Sequence, residues 1–300
     1  MTAVPRRWKL LLLLVASAMP VAIASAGCPP EGHDRASLQV LKAAKFAVPN
    51  AAVRQTLAEG LVDCLADPDP AIRDGVAYEA LAQWMREGGI DVAGLRGLRD
   101  RLYAALDGSD SAGFRRPFAA LALAEVARTD RIKPWMSVEE RAAMVGAAAT
   151  YVGSVRDYRG FDQQEGWRHG VAHGADWLMQ LSLNPALDRT QLDRILSAVA
   201  VQVVPEAAHA YVFGEPGRLA RPVLFAAKRA LHSQAEWQAW VSALTPRVAA
   251  GGLTYSDLAW LARRHDLDAF LATLYMEADR SDDEAIRQLK PAIVAAMKQP

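Results

Sequence analysis

Leu61-Val62-Asp63-Cys64-Leu65-Ala66-Asp67-Pro68-Asp69-Pro70, followed by Arg73 and by Ala77-Tyr78-Glu79-Ala80-Leu81, reads as an apolar helix, an Asp/Pro turn and a second helix with an arginine near its start. Asp69 can cap that second helix, because its carboxylate accepts backbone N–H groups that a first turn leaves unpaired. Pro70 fits the first helical position, where no N–H is needed. Ile72, Val76, Ala80 and Trp84 then recur at the spacing of one helical face. A hairpin of this kind cannot bury its apolar face alone, so the stretch predicts neighbours of its own type.

The pattern has the look of a HEAT-type unit. An echo lies about forty residues on, from Leu106-Asp107-Gly108 to Arg115-Arg116-Pro117-Phe118-Ala119-Ala120-Leu121, a shift typical of helical-hairpin repeats. Elsewhere Ala and Leu dominate, β-branched runs are scarce, and apolar residues recur at three- and four-residue intervals. Ser137 before Val138-Glu139-Glu140, and Ser281 before Asp282-Asp283-Glu284, each predict a helix with acids in its first turn. The expectation is an all-α chain folded as a single domain over residues 27–300, a HEAT-like α/α solenoid with a concave surface. An irregular helical globule is the alternative.

Residues 1–26 read as a secretory signal: Arg6, Arg7 and Lys9 precede an apolar run from Leu10 to Ala24, and Ala24-Ser25-Ala26 offers small residues for cleavage after Ala26. Ser25-Ala26-Gly27-Cys28 permits a second reading, in which Cys28 carries a lipid and tethers the protein to a membrane. An exported, periplasmic, unmodified chain is preferred. The full sequence holds 34 basic and 34 acidic residues, and losing three basic ones with the leader leaves a small negative charge. That excludes a general attraction to nucleic acid. No later stretch is long and apolar enough for a membrane span. Cys28 and Cys64 both survive cleavage, and either pair as a disulfide in an oxidising compartment or remain as two thiols.

One segment departs from its surroundings: Arg156-Asp157-Tyr158-Arg159-Gly160-Phe161, then Glu165-Gly166-Trp167-Arg168-His169-Gly170-Val171-Ala172-His173-Gly174-Ala175-Asp176. Wound as a helix, it puts Trp167, Val171, Gly174, Leu178 and Leu181 on a core face, with His169, His173, Asp176 and Gln180 opposite and Glu165 nearby. Imidazoles and a carboxylate at that spacing suit a transition metal, or general acid and base work with Asp176 orienting an imidazole. They equally suit the polar side of an amphipathic helix. Gly166, Gly170 and Gly174 imply the close approach of another group. Asp157 and Arg159 form either a charged pair beside the same site or a turn. Glu215-Pro216-Gly217-Arg218 reads as a turn entering a helix, without a chemical role.

The chain resembles a bacterial family known as domain of unknown function 2785. The resemblance rests on Arg73-Asp74 with Ala77-Tyr78, on Phe114 to Leu121, and above all on Asp157 to Phe161 leading into Gly166 to Asp176. It implies a helical fold and brings no activity, cofactor or partner. It marks Asp157, Arg159, Gly160, Gly166, Trp167, His169, His173 and Asp176 as the family's signature. Two functions fit these readings: a helical-repeat binding or scaffold protein that presents its concave face to a protein or small molecule, or a metal-assisted hydrolase using His169, His173 and Asp176.

Overall fold

Short polar side chains ahead of apolar runs start most of the helices in the computed structural model, which describes residues 27–248 and 255–299. The expected leader therefore lies outside the described residues. Asp34 begins α1 (Arg35–Ala43) and Asn50 begins α2 (Ala51–Cys64). Asp69 accepts from the Ala71 amide at the start of α3 (Pro70–Ile72), which continues through a π-helical stretch, Arg73–Tyr78, into α4 (Glu79–Arg86). Ile72, Val76, Ala80 and Trp84 are all buried along this composite helix.

Asp91 caps α5 (Val92–Asp107). The next helix, α6 (Arg115–Ile132), has no cap from Phe114, and Asp110 takes over by accepting from the Gly113, Phe114 and Arg116 amides. Ser137 and Glu140 form the capping box of α7 (Val138–Ser154). Two short antiparallel strands, β1 (Phe161–Asp162) and β2 (Gly166–Trp167), then precede α8 (Gly170–Ser182). The rest comprises α9 (Arg189–Val203), α10 (Glu215–Lys228), α11 (Gln234–Ser242), α12 (Leu258–Arg280), α13 (Glu284–Arg287) and α14 (Lys290–Met297). The start of α13 falls later than the sequence predicts. Asp283, not Ser281, caps it through the Ala285 amide, while the Ser281 hydroxyl supports the Asp283 amide.

Among the described residues the fold is all-α apart from the β1–β2 hairpin. Alternate helices lie side by side in the order α4, α6, α8, α10 and α12, while α5 packs on α6, α7 on α8 and α9, and α9 on α10. α8 thus has neighbours on every side, and Val171, Ala175, Trp177, Leu178 and Leu181 are buried within one continuous core. Val171, Leu178 and Leu181 each contribute roughly 1.5–3 kcal/mol by leaving water. Gly174 permits the close packing of α8 on α7, since a Cβ there would lie 2.6 Å from Val152 and 2.9 Å from Tyr151. At the other end of the chain, a Cys28–Cys64 disulfide ties the N-terminal segment to the end of α2 across a sequence separation of 36. Closing a loop of that size restricts the unfolded chain by roughly 4 kcal/mol in the chain-entropy account. Among the described residues, no helix is long and apolar enough to cross a membrane.

Candidate functional site

The approach to α8 is bent twice. Gly166 (φ 75°) and His169 (φ 56°) both adopt left-handed backbone, so the helix begins at Gly170 and Trp167 belongs to β2. Here the sequence reading needs correction: Trp167 is not on the core face of the helix but stacks flat on the His169 ring, with centroids 4.6 Å apart. A non-glycine residue in this conformation costs about 1–3 kcal/mol and persists only where its surroundings impose it.

The polar side of α8 is a second correction. His169, His173 and Asp176 are 7%, 8% and 8% exposed, so the side opposite the core face is itself inside the protein, between α6 and α10. From α6, the edge of Phe118 meets His173 at 5.0 Å between centroids. From α10 come Glu215, whose Oε1 lies 3.6 Å from His169 Nε2, and Arg218, which pairs closely with Asp176 Oδ2. Arg221 lies 3.8 Å from the other oxygen of Asp176. Glu215 is held in place by the Phe213 amide, which donates to its Oε2.

Burial controls the proton chemistry. It pushes His169 down to about 4, helped by Arg218, and His173 down to about 3, helped by His169 and Arg218. Both rings are therefore neutral at neutral pH. Burial raises the Asp176 carboxyl above its ordinary range, with Arg218 opposing, and lifts the Tyr78 phenol beside this cluster up to about 12. His169 Nε2, His173 Nδ1 and Asp176 Oδ1 are buried without a hydrogen-bond partner among the described residues. Each such atom costs about 1–3 kcal/mol when left unpaired.

The remaining signature residues stand elsewhere. Asp157 accepts from the Arg159 amide and pairs with its guanidinium, which also donates to the Ser111 carbonyl, so the two form an exposed turn. Glu165 is exposed as well. Its carbonyl accepts from Arg73 and its carboxylate from Arg168. Both guanidiniums lie over the ring of Phe114, at 4.0 and 4.3 Å. Arg73, fully buried, also donates to the carbonyls of Asp67 and Pro68, and so fastens the first helical turn to the β-hairpin. These residues hold the entrance to α8 and do not join the His169 cluster.

Sequence reasoning missed Glu215 and Arg218, which join the site from α10 instead of forming an inert turn. Nothing in their spacing links them to residues some forty positions earlier. The one available signal was an acid and an arginine bracketing a Pro-Gly helix start. Among the described residues, no group of three or more His, Cys, Asp or Glu side chains is placed to hold a metal ion. Asp176 faces Arg218 and Arg221 instead.

No curated protein and no solved structure matches the chain. The family described as "Protein of unknown function (DUF2785)" matches residues 102–276, a span that takes in α6 to α10 and the whole His169 cluster, and the chain belongs to that family.

Proposed function

We propose that this is an exported binding protein, a helical-hairpin array whose side-by-side helices α6, α8 and α10 carry a site for a small polar ligand. The supporting observation is the set of three buried atoms without a hydrogen bond on one face of α8, at His169 Nε2, His173 Nδ1 and Asp176 Oδ1, of which the first and last have only the longer charged contacts to Glu215 and Arg221. A fold that needed this face only for packing gains nothing from polar groups left unpaired. The strained His169 backbone belongs to the same cluster, as expected where a site is built at the expense of stability. The alternation of hairpin and neighbour from α4 to α12 supports a HEAT-like stack. Export is supported by the Cys28–Cys64 disulfide, a bond kept in oxidising compartments, and a Cys28 sulfur engaged in it is not available to a lipid.

His173→Leu tests the reading without knowledge of the ligand. It removes the unpaired Nδ1 while keeping bulk against Phe118, at the cost of the ring's contact with the Pro117 backbone, so thermal melting should shift upward, by the equivalent of about 1 kcal/mol. A lower melting temperature overturns the reading and makes His173 a structural residue.

A second reading, an enzyme, is favoured by the His169–Glu215 pair. A neutral imidazole 3.6 Å from a buried carboxylate has the components of an oriented general base. Metal assistance through His169, His173 and Asp176 is not part of this reading, because Asp176 is turned to Arg218 and Arg221.

A further inference from the structure

Arginines link neighbouring helices along one side of the array. Arg86 on α4 pairs with Glu125 on α6, Arg131 on α6 donates to the Gln180 side chain on α8 at 3.1 Å, and Arg218 and Arg221 on α10 reach Asp176 on α8. Asp176 and Gln180 lie one turn apart on α8, so these contacts follow one another along a single strip. Their order matches the packing of the helices, α4 beside α6, α6 beside α8 and α8 beside α10. The Tyr78 phenol senses Arg86 and Glu125 as well as Asp176 and Arg218, which makes the two ends parts of one surface.

The strip is basic on its outside. Arg86, Arg218 and Arg221 keep 52%, 38% and 50% of their side chains exposed, whereas Glu125 and Asp176 beneath them keep 8% and 11%. Arg128, one turn from both Glu125 and Arg131, is half-buried, and neither it nor Arg131 is ion-paired with a carboxylate among the described residues. Burial and the charge of Arg128 hold the Arg131 guanidinium below its ordinary value, with Glu125 opposing. Counting the buried Glu215 as well, five guanidiniums stand over three carboxylates. At the α4 end Lys42 and Lys45 offset Glu79 and Glu87. Like charges held this close repel one another, and an anionic partner relieves the repulsion.

We propose that this strip docks an acidic segment of a partner protein, laid across α4, α6, α8 and α10 with its carboxylates on the arginines. Length and charge select that occupant. Neighbouring helix axes stand about 8–10 Å apart, so the strip runs about 25–30 Å, the reach of about eight extended residues. A phosphate or citrate ion covers one gap between helices at most. Duplex DNA brings a charge about every 1.7 Å, on the order of fifteen over this length, against a small excess of arginine. A peptide with a few acids among neutral residues matches both the length and the charge, and its carboxylates would form with the arginines the fork that Arg86 already makes with Glu125. The inference goes beyond the reading of the buried α8 atoms and does not depend on it.

The test is fluorescence anisotropy of the purified protein with a labelled peptide of that length in which Glu alternates with Gly, beside versions carrying Gln or Lys in place of Glu. The Glu peptide should bind, more weakly as salt is added, and the Gln and Lys peptides should not. Arg128→Gln with Arg131→Gln leaves no buried carboxylate unpaired, and together they should weaken the Glu peptide by on the order of tenfold at unchanged helicity. Arg221→Gln, at the far end of the strip, should weaken it by a smaller factor, since Arg218 still holds Asp176. Arg101→Gln with Arg287→Gln removes the same charge from exposed pairs elsewhere and should change binding by less than about twofold. Failure of the Glu peptide to bind, binding unchanged in both strip variants, or an equal loss in the Arg101 and Arg287 variant overturns the proposal. If phosphate or citrate displaces the peptide with an affinity equal to its own, the strip is a small-anion site and the extended partner falls. Tighter binding of single-stranded DNA, lost in the same variants, overturns the choice of a protein segment.

Discussion

Asp130 and Asp176 sit on adjacent helices, α6 and α8, at comparable depth, yet their surroundings are opposite in kind. Asp130 is 1% exposed and saturated: its oxygens accept from the Trp135 and Met136 amides, from Arg141 and from Asn184. Burial pushes its carboxyl up, but Arg141, the two amides and Asn184 outweigh that and hold it below the ordinary range. Asp176 is also buried, but one of its oxygens has no hydrogen bond, only Arg221 at 3.8 Å, and its carboxyl is raised. A carboxylate whose every lone pair is used stabilises the fold that surrounds it, whereas one left partly unpaired is tolerated for another reason. The contrast separates framework from site without reference to any ligand.

The sharpest way to break this comparison is Asp130→Ala. It would leave the Trp135 and Met136 amides, Arg141 and Asn184 without their common acceptor, and the expected loss is about 3–5 kcal/mol in denaturant unfolding. A loss below about 1 kcal/mol would remove Asp130 as the framework example.

The next effect is in the pH dependence. An unfolded histidine takes up a proton near 6.5, whereas His169 and His173 in the folded protein resist until about 4 and about 3. The unfolded chain therefore binds more protons across that window. The stability contributed by the two neutral rings is fully present above pH 6.5 and is lost as pH falls toward their folded values. Asp176, being raised, works in the opposite sense. His173→Leu should flatten the acid limb, so that its advantage over the parent grows by on the order of 2 kcal/mol between neutral and acid pH. An advantage that shrinks in acid would contradict the neutral state of His173.

Asp266 on α12 is an intermediate case. One oxygen accepts from the Tyr211 amide at 2.8 Å and the other is buried without a partner. Burial raises this carboxyl to about 7, so its folded form holds a proton that the unfolded chain gives up near 3.8. Stability is consequently lost as pH rises through that interval. Asp266→Asn keeps the acceptor for Tyr211 and removes the charge, and above neutral pH it should gain about 1 kcal/mol in urea unfolding. No gain would mean that Asp266 is better solvated than its burial implies.

What the sequence made legible follows from how local each interaction is. Asp69-Pro70 and Ser137 with Glu140 start helices through contacts within a turn, and both are found. The buried face from Ile72 to Trp84 survives a π-helical stretch because side chains three and four apart still point the same way. His169 and Trp167 were misplaced because a left-handed residue interrupts the winding, and nothing in a Trp-Arg-His run announces it. The four-sided burial of α8 and the arrival of Glu215 and Arg218 depend on which helices become neighbours, and a periodicity shows only that a face must be covered, not by what. Asp130 went unnoticed for the same reason, since Arg141 and Asn184 reach it from separate elements.

The smallest effect should come from the most distinctive part of the family signature. Asp157 and Arg159 are an ion pair with side chains 39% and 48% exposed, and water screens such pairs to between zero and about 1 kcal/mol. What their turn does for α8 passes mainly through backbone: the Arg159 carbonyl accepts from the His169 amide and the Gly160 carbonyl from the Arg168 amide. Asp157→Asn keeps an oxygen for the Arg159 amide and removes only the charge, so denaturant unfolding should move by less than about 1 kcal/mol. A loss of 2 kcal/mol or more would mean that the pair clamps the 111–113 loop against the hairpin, through the contact of Arg159 with the Ser111 carbonyl. The framework would then extend into the signature itself, and the division drawn between Asp130 and Asp176 would have to run between residues of one motif.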